Sequence, residues 1–228
     1  MYRKEPKKDR EEAVQIIGWL LFWLVVLVVA YVFVVRPWHL RRGSTREEVQ
    51  RSLPGDDLVP NPKFTWNQAI TIHAPAAKVW PWLVQIGNQR AGWYSWDGLH
   101  RLLGVAGSVD DPRGSANRII PELQNLQVGD EIRMMPEDMG APGYTVVSIE
   151  PDRALVTHID DENGASWVWF LDPIDAETTR LIARFRQSWA PGFVNALMFG
   201  IADELGSLVM QPKTLSGIKA RAEKAGTQ

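Results

Sequence analysis

The chain has 228 residues, enough for one substantial domain and an appendage. Charge is divided unevenly: residues 1–51 hold ten Lys/Arg against six Asp/Glu, and residues 52–228 hold fifteen against twenty-one. An acidic globular part argues against a nucleic-acid partner, and the absence of cysteine excludes disulfides, thiolate metal sites and a Cys nucleophile.

Met1–Glu12 is short, polar and of mixed charge, and is expected to be a disordered tail. Ala13–Val35 follows with 23 residues free of Asp, Glu, Lys, Arg and His. At ~1.5 Å per residue a helix of that length spans about 34 Å, which crosses a bilayer core with slight tilt. The run is too long for a signal-peptide core and lacks a small-residue cleavage site. Arg36, Trp38, His39, Arg41 and Arg42 supply an interfacial collar, so a single transmembrane helix over residues 13–36 is expected. The two flanks carry nearly equal positive charge. Weighting the basic residues nearest the N-terminus places that end in the cytoplasm and the domain outside.

Residues 37–63 read as a juxtamembrane linker laying the domain close to the bilayer. Ser44 and Glu47 form an S-x-x-E capping pattern that can start a short helix through Leu53. Pro54-Gly55-Asp56 is turn chemistry. Trp66, Gln68, Ile70 and Ile72 then alternate with Asn67, Ala69, Thr71 and His73, which predicts a strand.

Pro75–Arg101 organises the domain, with Trp80, Trp82, Trp93, Trp96 and Tyr94 in one stretch. Pro75 suits a first helical position. Val79, Leu83 and Ile86 recur at helical spacing, Pro81 should kink that helix, and Gly87 ends it. Ser95 can cap a second helix in which Trp96, Leu99 and Leu103 share a face. Gly104–Gly129 is irregular, and its Ile119, Ile120, Leu123 and Leu126 suit a lid over something apolar.

Strands are predicted at Glu131–Met135, Tyr144–Ile149, Ala154–Ile159, Ser166–Leu171 and Thr178–Trp189, an antiparallel meander. Trp167, Trp169 and Leu171 share one strand face, and Leu181, Ala183, Phe185 and Trp189 share another, giving an aromatic wall. Arg180, Arg184 and Arg186 lie opposite and read as a solvated face. After Pro191, the stripe Val194, Leu197, Ile201, Leu205 and Leu208 has a helical period and is expected to face the sheet, with Asn195, Asp203 and Ser207 elsewhere on the wheel. Pro212 should kink or split that helix.

Several motifs carry a resemblance: Pro54-Gly55-Asp56, Ala74-Pro75, Val79–Gly87, Gly92–Asp97, Val128-Gly129-Asp130 and Thr179–Ile182. With the element order, they make the chain from Ser44 onward resemble the START-related (SRPBCC) superfamily, which includes polyketide cyclases and birch-pollen-allergen-like proteins, and in particular a membrane-anchored bacterial branch of it. The resemblance implies an α+β helix-grip domain over residues 64–228, its curved antiparallel sheet gripping a long C-terminal helix. It also implies an apolar cavity between sheet and helix, binding lipids, polyketides or other hydrophobic molecules.

On that expectation the ligand-contacting candidates are Trp82, Gln85, Arg90, Tyr94, Trp96, Trp169, Phe185, Leu197 and Ile201, with Gln89, Asp97, His158 and Arg184 as further polar groups. Arg90 or Arg184 could meet a carboxylate, and Tyr94 could donate to a carbonyl. For each of these a capped, paired or solvated structural role stays open. Asp97 and Arg101 read as a helix-surface pair. Asp203-Glu204 could place a carboxylate toward the cavity. The four histidines lack metal-ligand spacing, and no phosphate loop, dinucleotide fingerprint or nucleophile elbow is present, so no metal, cofactor or catalytic residue is expected. Three functions follow: a membrane-tethered protein binding or transferring a hydrophobic molecule or lipid, a cyclase-like enzyme, or an accessory subunit of a membrane complex contacted through Trp19 and Trp23.

Overall fold

A computed structural model describes residues 6–105 and 107–224, which fall into two compact units meeting in sequence between His39 and Leu40. In the first, helix α1 (Pro6–Ala30) runs through a π-helical turn, Tyr31–Val35, into α2 (Arg36–His39). Of the expected disordered tail, residues 1–5 lie outside the described residues, and Pro6–Glu12 are helical. Val14, Trp19, Trp23, Leu27 and Phe33 are all exposed. Arg10–His39 is long and apolar enough to cross a membrane.

The second unit is built on a six-stranded antiparallel sheet, with β1 (Phe64–Ile72), β2 (Glu131–Ile132), β3 (Tyr144–Glu150), β4 (Ala154–Ile159), β5 (Ala165–Pro173) and β6 (Thr179–Gln187) in the order β1-β6-β5-β4-β3-β2. β1 returns from the start of the domain to pair with the last strand, Trp66 opposite Phe185 and Gln68 opposite Ala183. The five later strands form the meander expected from their turn spacing, with one register shift in β3 between Val146 and Ser148.

Alternation gives the sheet two distinct faces. The inner face carries Trp66, Ile72, Tyr144, Val146, Trp167, Trp169, Leu181, Ala183 and Phe185. It packs against Val79, Trp82 and Leu83 of α4 (Ala76–Val84) and Leu215, Ile218 and Ala222 of α7 (Gln211–Lys224). Helix α5 (Asp97–Leu102) follows α4 after the loop of residues 85–96. Ser95 does not cap α5, whose N-cap is Trp96 without a side-chain bond. The C-terminal helix α6 (Phe193–Leu205) joins α7 through a π-helical turn, Gly206–Met210. Pro212 has no N–H to donate and crowds the carbonyl four residues back, and the widened turn immediately upstream absorbs that conflict without breaking the helix. A sheet of this connectivity gripping a long terminal helix is the helix-grip architecture.

The outer face is covered by the linker. Leu53 and Leu58 pack on Ala69, Ala154, Val156, Val168, Phe170 and Ile182 in a second apolar cluster. The strand arginines are the clamp, which corrects the expectation of a solvated face. Arg184 is buried, and its guanidinium donates to Asp56 (2.6 Å), Asn67 (2.8 Å) and the Arg51 and Glu48 carbonyls (2.8 and 2.7 Å). Arg180 pairs with Glu48, and Arg186 donates to the Val59 carbonyl. The short linker helix α3 (Arg46–Gln50) is started by Thr45 and Glu48, one residue later than the Ser44–Glu47 alternative. The later register turns Glu48 toward Arg180, while Ser44 donates to the Asn67 carbonyl. Leu40 and Arg42 carbonyls accept from Asn67 and Ala69 N–H groups, so β1 does not present a bare edge.

Candidate functional site

The inner face is an aromatic assembly whose order follows from strand register. Trp167 is at its centre. Trp93, from the loop after α4, stacks on it at 5.3 Å and 3°, and Trp169 lies 5.1 Å away along the strand. Trp66 and Tyr144 meet its edge at 6.0 and 5.8 Å, and Phe185 stacks on Trp66 at 5.7 Å. Five large rings thus surround one indole.

The long helix covers this wall in two different ways. α7 packs tightly: a Cβ on Gly217 would lie 2.0 Å from the Tyr94 carbonyl oxygen, so only glycine permits the approach. α6 is turned the other way from the expected orientation. Phe193, Val194, Leu197, Met198, Ile201 and Leu205 are exposed, whereas Asn195, Phe199, Asp203 and Ser207 face protein. Phe199 stacks on Trp189 at 6.1 Å, Asn195 donates to the Ala190 carbonyl, and the Asp203 carboxylate acts electrostatically on Tyr144. Val194, Leu197, Ile201 and Leu205 of the expected stripe point away because the π-helical turn is held in one rotation, while Leu208, within that turn, is partly buried. Gln68 Nε2 donates to the Ser207 carbonyl (2.7 Å), Ser95 Oγ to Met210 (3.0 Å) and Trp96 Nε1 to Val209 (3.2 Å).

Of the nine residues singled out from sequence, Trp169 and Phe185 lie in the aromatic wall, and Trp82 packs edge-on to Tyr94 at 5.9 Å. Gln85 is fully engaged within the protein. Its Nε2 donates to the Tyr94 hydroxyl (2.9 Å) and Arg118 carbonyl (3.1 Å), and its Oε1 accepts from Ile120 N–H (2.9 Å) and Gln124 (3.1 Å). Gln85 therefore fastens the 118–124 loop over the core. The Tyr94 ring lies under the Arg221 guanidinium at 4.6 Å, and burial pushes its phenol well above the ordinary tyrosine range. Arg90 is half-buried and donates to the Val84 and Ile86 carbonyls at the end of α4 (2.9 and 3.2 Å). Trp96, Leu197 and Ile201 are on the surface, about half exposed. Asp97 does not form the expected surface pair with Arg101; its Oδ1 accepts from Ser115 N–H and Oγ, and Ser115 Oγ accepts from Tyr94 N–H.

Trp82 Nε1 is buried and finds no hydrogen-bond partner among the described residues, and groups outside the nine share that state. Trp93 Nε1, Trp167 Nε1 and Asp203 Oδ2 are shut off from solvent and find no hydrogen-bond partner among the described residues. Burial, reinforced by the neighbouring Glu204 charge, pushes the Asp203 carboxyl up to about 7. Tyr144, beside it, is raised by burial first and then by the Asp203 charge. Tyr144 and Gln68 escaped the sequence reading, although both carried a signal: each occupies an inward position of a strand whose other inward residues are apolar.

No protein-family model matches the chain, and no curated protein does. Solved structures do. Protein MLL2253 from Mesorhizobium loti is 16% identical over 71% of this chain and 98% of its own, with a TM-score of 0.39. The Zhui aromatase/cyclase from Streptomyces sp. R1128 is 16% identical, covering 72% and 95%, with a TM-score of 0.38. A norcoclaurine synthase point mutant from Thalictrum flavum is 11% identical, covering 72% and 96%, with a TM-score of 0.38. The architecture rests on the strand order and register themselves.

Proposed function

We propose that the chain is a membrane-tethered protein that binds a hydrophobic small molecule or lipid between the inner face of its sheet and the first half of its C-terminal helix. The reversed orientation of α6 carries this reading. A helix that only completed a core would bury Leu197, Met198, Ile201 and Leu205; this one leaves them exposed and turns Asp203 and Asn195 inward. That half of the wall is thus covered without aliphatic interdigitation, while α7 closes the other half. The charge-free helix Ala13–Val35 supplies the anchor, and the exposed stripe of α6 suits an apolar environment at the bilayer surface.

The test is to purify the full chain from its native membrane in mild detergent and to extract it with organic solvent for mass spectrometry. One hydrophobic species should be enriched near one equivalent per chain over the bulk lipid of the same preparation. An extract with the composition of the bulk lipid counts against binding. A cyclase-like enzyme is the second reading, favoured by Asp203, an inward-facing carboxyl able to exchange a proton near neutrality.

A further inference from the structure

Resting on the membrane tether proposed above, we infer that the domain docks on the bilayer a second time, through an apolar surface shared by α6 and α5. The occupant of that surface is lipid, and apolar burial rather than charge holds it there. Every exposed residue between Phe193 and Met210 is apolar, and neither acid of the segment, Asp203 or Glu204, is among the exposed ones. At ~1.5 Å per residue this side of the helix runs about 25 Å. Trp96, half exposed, donates its indole N–H to the carbonyl of exposed Val209 (3.2 Å) and so carries the surface across to α5. Leu103 follows Trp96 on one helical face, and both Leu102 and Leu103 are exposed. A helix facing water shows charge on its outer side; one showing only apolar residues has a non-aqueous neighbour.

Three observations make that neighbour lipid. The chain leaves no slack between anchor and domain: α2 ends at His39, and the Leu40 carbonyl already accepts from the Asn67 N–H of β1 (2.8 Å), followed by Arg42 and Ala69 (3.1 Å). A domain fastened so closely to an anchor meets the bilayer surface at high effective concentration. The junction of the two helices is interfacial in character. Lys213 lies over the Trp96 ring at 4.9 Å, pairing an amphipathic indole with a long cationic side chain that can reach headgroups. Finally, the exposed side chains of α6 offer a partner no hydrogen bond and no ion pair. Specific protein interfaces ring their apolar centre with such groups, whereas an acyl phase needs none. Residues 52–228 hold fifteen Lys/Arg against twenty-one Asp/Glu, so the domain gains nothing overall from anionic lipid.

The chain has no cysteine, so single cysteines can carry a fluorophore to chosen positions of the full chain in phosphatidylcholine nanodiscs. Leu197→Cys and Leu102→Cys probe the surface, Leu27→Cys probes the anchor, and Glu177→Cys, in the β5–β6 turn, is the water reference. Each label is quenched by a nitroxide on the phospholipid acyl chain and, separately, by iodide in water. The ratio of lipid to iodide quenching at Leu197 and Leu102 should approach that at Leu27 and exceed that at Glu177 about tenfold. High salt or added phosphatidylserine should leave the ratio unchanged within about twofold. The double variant Val194→Glu, Ile201→Glu should return the Leu197 label to the Glu177 value and leave Leu27 as it was. The inference is overturned if either surface label is quenched like Glu177 while Leu27 stays in lipid, an outcome that keeps the tether. It is also overturned if salt releases the contact, if the double variant leaves Leu197 in lipid, or if Leu197 is shielded from both quenchers, which would show a second copy or another protein covering it. A Leu27 label open to iodide removes the tether itself and takes the inference with it.

Discussion

Gln68, at the middle of β1, donates to the carbonyl of Ser207 across 2.7 Å, and both residues are fully buried. A polar side chain at an inward strand position thus ties the sheet to the π-helical turn of the terminal helix. A π-helical turn loosens the regular carbonyl partnering of a helix, and outside donors can compensate for that. With Ser95 and Trp96 holding Met210 and Val209, Gln68 fixes how the helix is rotated and therefore what α6 shows the interior.

Gln68→Leu keeps the volume and removes the donor. The buried Ser207 carbonyl is then left without it, and the chain should lose about 1–3 kcal/mol, read as a lower urea midpoint with unchanged slope. No loss of stability would mean that the helix rotation is set by packing alone.

Two glycines of the same helix should respond in opposite directions. Gly217→Ala brings a Cβ to 2.0 Å from a backbone oxygen of Tyr94, a contact that needs the helix to move, and should destabilise by about 3 kcal/mol or more. Gly200 has nothing within 4 Å of an added Cβ, so Gly200→Ala should stabilise by roughly 0.5–1 kcal/mol through helix propensity. Thermal unfolding of the two variants side by side checks both.

The raised Asp203 carboxyl makes stability depend on pH. Below about pH 4 it is protonated in both folded and unfolded chains. From there to about pH 7 the unfolded chain releases the proton and the folded chain retains it, so stability falls as pH rises; above about pH 7 the loss is complete. The contribution is on the order of 2–4 kcal/mol. Asp203→Asn should flatten this part of the profile and be the more stable protein at pH 8, as measured by denaturant titration across pH 4–8.

Arg184 is the principal clamp between linker and sheet, and removing it strands Asp56 and two helix-end carbonyls on the outer face. Arg184→Ala should cost about 3–5 kcal/mol, as for other broken buried pairs, and should expose residues 40–60 to limited proteolysis. Arg184→Lys should recover little, because one ammonium cannot reproduce a guanidinium's spread of donors.

The fold was legible because it depends on periods. Alternation in residues 66–72, 144–149, 166–171 and 181–185 located the strands and correctly sorted Trp167, Trp169, Leu181 and Phe185 to one face. What depends on tertiary choice was not legible. Ser44–Glu47 and Thr45–Glu48 are equally good capping pairs in sequence, and only the distant Arg180 decides between them. The arginines of β6 look solvated until the linker is seen to return across them. The helical stripe Val194–Leu208 looked like a core face because hydrophobic period assumes one sheet-facing side; the turn at Gly206–Met210 and its three donors leave Val194, Leu197, Ile201 and Leu205 facing outward. Gln85 and Arg90 have the composition of ligand contacts, and it is their hydrogen bonds within the protein that give them structural work.

The most direct test of the central claim, a guest held between the aromatic wall and α6, is to locate one. A crystal of the full chain soaked with 1-bromonaphthalene should give a bromine anomalous peak among Trp167, Tyr144 and Asp203. Bromine found only along α1 or on the exposed stripe of α6, with the inner face unchanged, would contradict it.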